Sequence, residues 1–424
     1  LQVKVYVSFV LTAISWLILP SVFLLACWSL PDDIKARSLH TVVTKPVLRS
    51  EVLFGRVLGI TLVGTVALLT MGIFGYVWLN RALPSEIREK KLIARVPVYG
   101  DITFRDRKGD PAAAGINTGD IWMFRSYIEG NTKAQAIWDF KNVTPQRFLD
   151  ATHDKLRLES NFQVFRTYKG DIESGILCRY VLVNEEKKIR APLPAFTVHE
   201  FRENIYSIDR KQFDEKNQPV DVFDDLVNKG NLRVEVQCLT AGQFLGVARP
   251  DLFFRAPDAP FWSAFFKSVF SVWMMMFLLI VMGVVASCFL KGPVATLLTF
   301  TFLLVGRLAQ GLLASLTTGE FKGGGALESA YRIVTRMNPT VPIQESPFLS
   351  IVQAIDMAPS GLLRVVRHLI PSFEHYNLGQ YAANGYDVPW NTQLLPGLAL
   401  TLGYALPCLV LGYFSLKLRE LESK

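Results

Sequence analysis

The residues best suited to recognition chemistry crowd into one polar stretch. Between Ser29 and Gly59 the chain carries Asp32, Asp33, Lys35, Arg37, Lys45, Arg49, Glu51 and Arg56, interleaved with Ile34, Leu39, Val42, Val43, Val47 and Leu48. Charges of both signs among branched aliphatics suit docking rather than catalysis. The apolar side chains would fill a groove on a partner, and the ionic rim would set register and partner choice. The spacing predicts two short amphipathic helices broken at Pro46, with Thr44 or Lys45 as N-cap and Pro46 in the first helical position. The plainer reading of the same residues is a solvated loop whose basic groups fix membrane topology.

Other chemistry-bearing patterns fail in their details. His199-Glu-Phe-Arg-Glu203 begins like a zinc-protease helix but has Glu where the second His ligand is required. No G-x-x-x-x-G-K-[ST] loop occurs, and Gly323-Gly-Gly325 leads into Ala326-Leu-Glu with no Lys to meet a phosphate. The chain is therefore read as no enzyme, with no catalytic residues, no metal ligands, no cofactor of its own and no nucleic-acid partner. Asn142-Val-Thr144 fits a glycosylation sequon, a short and common pattern. Arg307 and Gln310 lie three apart in an apolar run and so share a helix face. They are candidates for lining a pathway; alternatively, Arg307 snorkels to an interface.

These residues need elements to hold them, and the composition says which. Half of the 424 residues are hydrophobic and the mean hydropathy is +0.27, values uncommon in soluble domains of this length. The apolar residues cluster into Val5–Trp28, Val57–Leu79, Trp262–Leu290, Val294–Leu316 and Gln393–Leu416. Each runs about 23–29 residues, and ~20 cross a hydrocarbon core. The first run lacks a small-residue cleavage site and is too long for a signal-peptide core. Trp28, Trp78, Trp262 and Trp390 sit near span ends, where amphipathic rings prefer the interface.

The expected architecture is an α-helical polytopic membrane protein with an inserted extracytoplasmic β-sandwich-like domain. Its spans fall at 1–30, 57–79, 262–290, 294–316 and 390–416, with membrane lipid around them. The short connections at 31–56, Lys291-Gly292-Pro293 and 417–424 are rich in Lys and Arg, which places them in the cytoplasm. Segments 80–261 and 317–389 then face outward, the second with short amphipathic helices. Arg81, Arg88, Lys90 and Lys91 pull the other way, but long translocated domains tolerate such charge. This topology leaves Leu1 outside and predicts an upstream cytoplasmic segment and one further span.

Within 80–261, Leu156–Tyr168, Gly175–Val183 and Leu232–Leu239 alternate with period two, and Lys108-Gly-Asp-Pro111, Glu129-Gly-Asn131, Lys169-Gly-Asp171 and Lys229-Gly-Asn231 mark turns. Five cysteines do not make a disulfide framework. Cys27, Cys288 and Cys408 read as buried thiols in or beside spans, and Cys178 and Cys238 fall in outer strands that could pair in an oxidising space.

The run Asp33-Ile-x-x-x-Ser-Leu-x-Thr-Val-x-Thr-Lys-Pro-Val-x-Arg-x-Glu-x-x-x-Gly-Arg-x-x-Gly59 resembles the cytoplasmic coupling loop of bacterial ABC-2 type transporter permeases. Leu369-Ile-Pro-Ser-Phe-Glu-His-Tyr, followed by Tyr381-Ala-Ala-Asn-Gly-Tyr-Asp-Val-Pro-Trp390, is similar to the outer segment before the last span in that family. The likeness covers both membrane portions but not the insert, which is larger than the family norm. It implies a multi-pass permease subunit of an ATP-binding-cassette exporter in the bacterial plasma membrane. The implied partners are a separate ATP-binding subunit, which holds ATP and Mg, and a second permease copy, identical or related. The ATPase-coupling residues would be Asp32, Asp33, Lys35, Arg37, Val42, Val43, Thr44, Lys45, Pro46, Val47, Leu48, Arg49 and Glu51. The competing expectation is a membrane-anchored binding or assembly protein whose β-domain is the working part.

Overall fold

The computed structural model describes residues 2–35, 48–86, 88, 92–112, 114–116, 125–149, 155–166, 175–199, 202–308, 310–311, 313, 325–337 and 347–418. The chain forms two compact units, Ile93–Pro260 and the flanking Leu1–Leu92 with Phe261–Lys424.

Among the described residues of the flanking unit, four helices are long and apolar enough to cross a membrane. They are α1 (Gln2–Lys35), α2 (Arg49–Ala82), α3 (Phe261–Phe289) and, after the 17-residue α4 (Gly292–Leu308) and the polar-faced α5 (Ala326–Val334) and α6 (Pro347–Leu369), α7 (Leu395–Leu418), which a π-turn at Trp390–Leu394 precedes. Within the fourth expected span, Val294–Leu316, α4 is described from Gly292 to Leu308, and Gln310, Gly311 and Leu313 are helical as well. The first two spans also extend past their apolar runs. Helix α1 continues from Trp28 to Lys35 and α2 begins at Arg49 rather than Val57. Each has 34 residues, about 51 Å at 1.5 Å per residue, against a hydrocarbon core of ~30 Å. Hydropathy marks the part of a helix that lipid would cover, whereas backbone hydrogen bonding carries the helix on into polar sequence.

Helix α3 is the hub, buried on nearly every side against α1, α2, α4 and α7. Small residues let the backbones close in. A Cβ at Gly283 would lie 3.0 Å from the Ala26 side chain, and one at Gly64 would lie 2.8 Å from Met276 Sδ. Trp273 Nε1 donates across to Thr65 Oγ1 at 2.8 Å. The amphipathic helices expected in 317–389 appear as α5 and α6, the latter longer than anticipated at 23 residues. Asp356 of α6 caps α5, its carboxylate accepting from the Leu327 and Glu328 amides at 3.0 Å each.

Among the described residues of the Ile93–Pro260 unit, every strand pairing is antiparallel. One sheet orders β1 (Ile93–Tyr99), β16 (Leu252–Pro260), β6 (Lys155–Ser160) and β11 (Asn204–Asp209). A second orders β10 (Phe196–Val198), β8 (Ile176–Asn184), β14 (Leu232–Cys238), β5 (Gln135–Phe140), β2 (Asp101–Arg105) and β3 (Pro111–Ala112), with β9 (Ile189–Pro192) also on β8. A three-stranded sheet of β4 (Ser126–Glu129), β15 (Gln243–Val247) and β7 (Gln163–Arg166), and the pair β12 (Lys211–Phe213) and β13 (Pro219–Asp221), complete it.

The first two sheets share one apolar core. Phe140 of the larger meets Phe254 of the smaller edge-on at 4.6 Å, and the Tyr180 hydroxyl donates to Ser160 Oγ at 2.7 Å. Period-two alternation produces this layering because successive side chains leave a strand on opposite faces. In β14, Leu232, Val234, Val236 and Cys238 join the core, while Arg233 and Glu235 take the other face. The predicted turn at Lys229-Gly230 is a left-handed pair, with φ of 46° and 81°.

Candidate coupling end and enclosed polar pairs

Three helix ends of the flanking unit are tied together at the margin of the predicted docking loop. Asp32 and Asp33 fall in the last turn of α1, where the helix dipole is negative and carboxylates are unfavourable. Arg56 of α2 answers this by pairing with Asp33. At the start of α2, Glu51 Oε2 accepts the Leu48 amide at 3.2 Å, closing half of a capping box. Arg49 reaches the C-terminal end of α7 and donates to the carbonyl oxygens of Leu416 and Lys417 at 3.0 and 2.6 Å. A cation beside the carbonyls at this end of α7 also complements the helix dipole. Nearby on α1, Trp28 Nε1 donates to Thr296 Oγ1 of α4 at 3.0 Å, and its ring covers Gly292. The described ends of α1 and α2, the Lys291 turn and the described end of α7 therefore share one end of this unit.

Of the sequence-predicted coupling residues, the structure brings Asp33, Arg49 and Glu51 into this braced margin and leaves Asp32 and Leu48 exposed. Lys35 lies on the α1 backbone. Arg37, Val42, Val43, Thr44, Lys45, Pro46 and Val47 lie outside the described residues. The expected second amphipathic helix is corrected in one respect. Arg49–Arg56 is no separate element but the first two turns of α2, whose N-cap is Leu48.

The two candidate pathway residues part company. Gln310 is buried and its Nε2 donates to the Ile370 and Arg367 carbonyl oxygens at 2.6 and 3.3 Å, holding the end of α6. Arg307 is exposed. Sequence reasoning missed a charged pair: Lys267 Nζ sits 2.9 and 2.7 Å from the two carboxylate oxygens of Asp387, with both side chains largely enclosed. The Trp390 ring lies 6.0 Å from the ammonium. Beside it, Ser268 and Ser271 donate to the Leu378 and Tyr376 carbonyls at 3.2 and 2.9 Å. The signal was present, since Lys267 is the one charge in the 29 residues of α3.

The chain matches no protein-family model, no curated protein and no solved structure.

In the β unit, polar groups gather on the outer face of the larger sheet. Glu235 is buried under Arg190, 2.6 Å away, and Arg233 joins Asp139 to Glu185 beside an open cavity of about 300 Å³. These charges are spent on each other, so the cavity is a neutralised polar shelf. Glu203, the residue that breaks the zinc-protease pattern, pairs with Arg95 at 3.0 Å. Among the described residues no three His, Cys, Asp or Glu side chains converge to hold a metal ion.

Proposed function

We propose that this chain is the membrane-embedded subunit of an ABC-2 type exporter in the bacterial plasma membrane, coupling ATP hydrolysis by a separate subunit to movement of a substrate. The bracing of the loop margin carries this reading. A nucleotide-driven push on a loop moves membrane helices only where the loop is joined stiffly to them. Here α1 and α2 continue as unbroken helix on either side of the loop, Asp33 and Arg56 tie them together, and Arg49 adds α7. Closure of an ATPase against Asp32–Glu51 would then rock several helices as one body. A second permease copy would complete the pathway, and ATP with Mg would stay in the partner.

The test is affinity purification of the full chain in mild detergent. An ATP-binding-cassette subunit should co-purify, and its hydrolysis should rise in the complex. Recovery of the chain without an ATPase, but with a partner lost on deleting 93–260, would replace this reading with that of an anchored assembly protein.

A further inference from the structure

The larger β sheet brings two sulfurs into register. Cys178 in β8 lies directly opposite Cys238, the last residue of β14. One step further along the ladder, the Leu239 amide donates to the Leu177 carbonyl oxygen at 2.8 Å. Hydrogen-bonded and non-hydrogen-bonded pairs alternate in an antiparallel ladder, so the cysteines occupy a non-hydrogen-bonded pair, where Cα atoms approach to about 4.5 Å and side chains are closest. A disulfide spans Cα separations of roughly 4.4–6.8 Å. Both side chains enter the core, 0% and 3% exposed. Gly130 leaves room for them, since a Cβ there would lie 2.9 Å from Cys238 Sγ. The neighbouring Cys238 thiol together with burial pushes the Cys178 thiol up, and the neighbouring Cys178 thiol draws Cys238 below the ordinary thiol range. The other buried cysteines have different neighbours: Cys27 Sγ meets Thr299 Oγ1 at 3.6 Å and Cys288 Sγ meets the Val284 carbonyl at 3.2 Å.

We propose that Cys178 and Cys238 close into a cross-strand disulfide that fastens β8 to β14. The bond takes its oxidising surroundings from the outward placement of 93–260 in the reading above, and rests on it to that extent. Closure is thiol–disulfide exchange with an external disulfide such as oxidised glutathione. The Cys238 thiolate attacks one sulfur and expels a glutathione thiolate. The Cys178 thiolate then attacks the Cys238 sulfur of the mixed disulfide and expels the second. Two protons leave the cysteines, and one disulfide is consumed for each one made. Because the finished core encloses both sulfurs, exchange belongs to sheet assembly or to opening at the end of β14.

The experiment uses the full-length protein. Cells are quenched with N-ethylmaleimide, and the protein is extracted in detergent, digested and mapped by mass spectrometry. The expected result is one linked peptide pair through Cys178 and Cys238, with Cys27, Cys288 and Cys408 alkylated. A parallel sample, prepared under reducing conditions, is incubated with oxidised glutathione before quenching. Free thiols in cells with closure by oxidised glutathione would keep the sulfur pair and overturn the outward placement. Free thiols in both samples, or a link to any other cysteine, would overturn the pair. Reductant should also lower the melting temperature of the β unit on the order of 10 °C, and should leave a Cys178→Ala variant where it was.

Discussion

Arg49 in the first turn of α2 and Leu416 in the last turn of α7 are joined guanidinium to carbonyl oxygen at 3.0 Å, across 367 positions of sequence. A residue whose type suggested a docking rim thus also closes the end of another helix. Arg49→Glu places an anion against the two carbonyl oxygens that Arg49 serves and should cost about 1 kcal/mol, discounted because the side chain is exposed. In detergent that is a fall of about 2–4 °C in melting temperature. Arg49→Lys should lose less. A Glu variant that melts with the parent would show that the contact contributes nothing.

Lys267 and Asp387 should behave as a unit. Lys267→Met leaves an enclosed carboxylate without its cation and should cost about 3–5 kcal/mol. Adding Asp387→Leu should restore most of the loss, because the pair itself contributes little once its desolvation is counted. The readout is folded yield and melting temperature of the two variants. A double variant worse than the single would refute the compensation.

Gly306 marks where α4 meets the chain entering the 373–376 turn. A Cβ there would stand 2.4 Å from the Pro371 carbonyl oxygen and 2.6 Å from the Phe373 ring. Backbone cannot swing aside as a side chain can, so Gly306→Ala should destabilise by about 1–3 kcal/mol. Gly311→Ala is the control, with its nearest neighbour the Glu374 carboxylate at 3.9 Å. Equal thermal melts for the two variants would show that the close approach is absent.

Residues 93–260 expressed alone should fold as a β-rich domain with one cooperative melt. The core around Trp138, Phe140 and Phe254 is enclosed within the unit itself. Phe254→Ala should cost about 3–5 kcal/mol. A non-cooperative melt would show that the unit depends on its flanking helices.

The same domain should weaken in acid partly through Asp221. Burial pushes this carboxyl up, but the Phe223 amide, the Arg210 guanidinium and the Asp224 amide together pull it below its ordinary value. A folded pKa below the unfolded value of ~3.9 adds stability that is full above that pH and lost as pH falls through the depressed folded value. Urea midpoints measured from neutral pH to below pH 4 should therefore decline, and Asp221→Asn should flatten the decline. An Asn variant with the parent's acid slope would clear Asp221 of the effect.

Local features were legible in the sequence and distant ones were not. Apolar runs gave the cores of α1, α2, α3 and α7, and alternation gave β6, β8 and β14, because each pattern is written within about eight to thirty neighbouring residues. Helix ends escaped, since Asp32–Lys35 and Arg49–Arg56 are polar and hydropathy cannot see their backbone bonds. The site was less legible still. Asp33, Arg49 and Glu51 were marked by charge, but the partners of Arg49 are main-chain carbonyls, which carry no residue signature. Gln310 likewise serves backbone at Ile370. Strand order was equally hidden: β14 pairs with β5 and β8, and nothing local names those partners.

The first and last strands of the β unit run side by side, with Ile93 paired to Pro260 at the open end of the ladder. Force applied through the two flanking chain segments would therefore load that ladder one rung at a time, peeling it rather than shearing it. Peeling yields at low tension, because the bonds fail in sequence and not together. Next to the open end, the register shift between Ala94 and Val96 places Arg95, which grips Glu159 and Glu203 from a neighbouring strand and loop. Under tension this ionic clasp sets where the peel would stall.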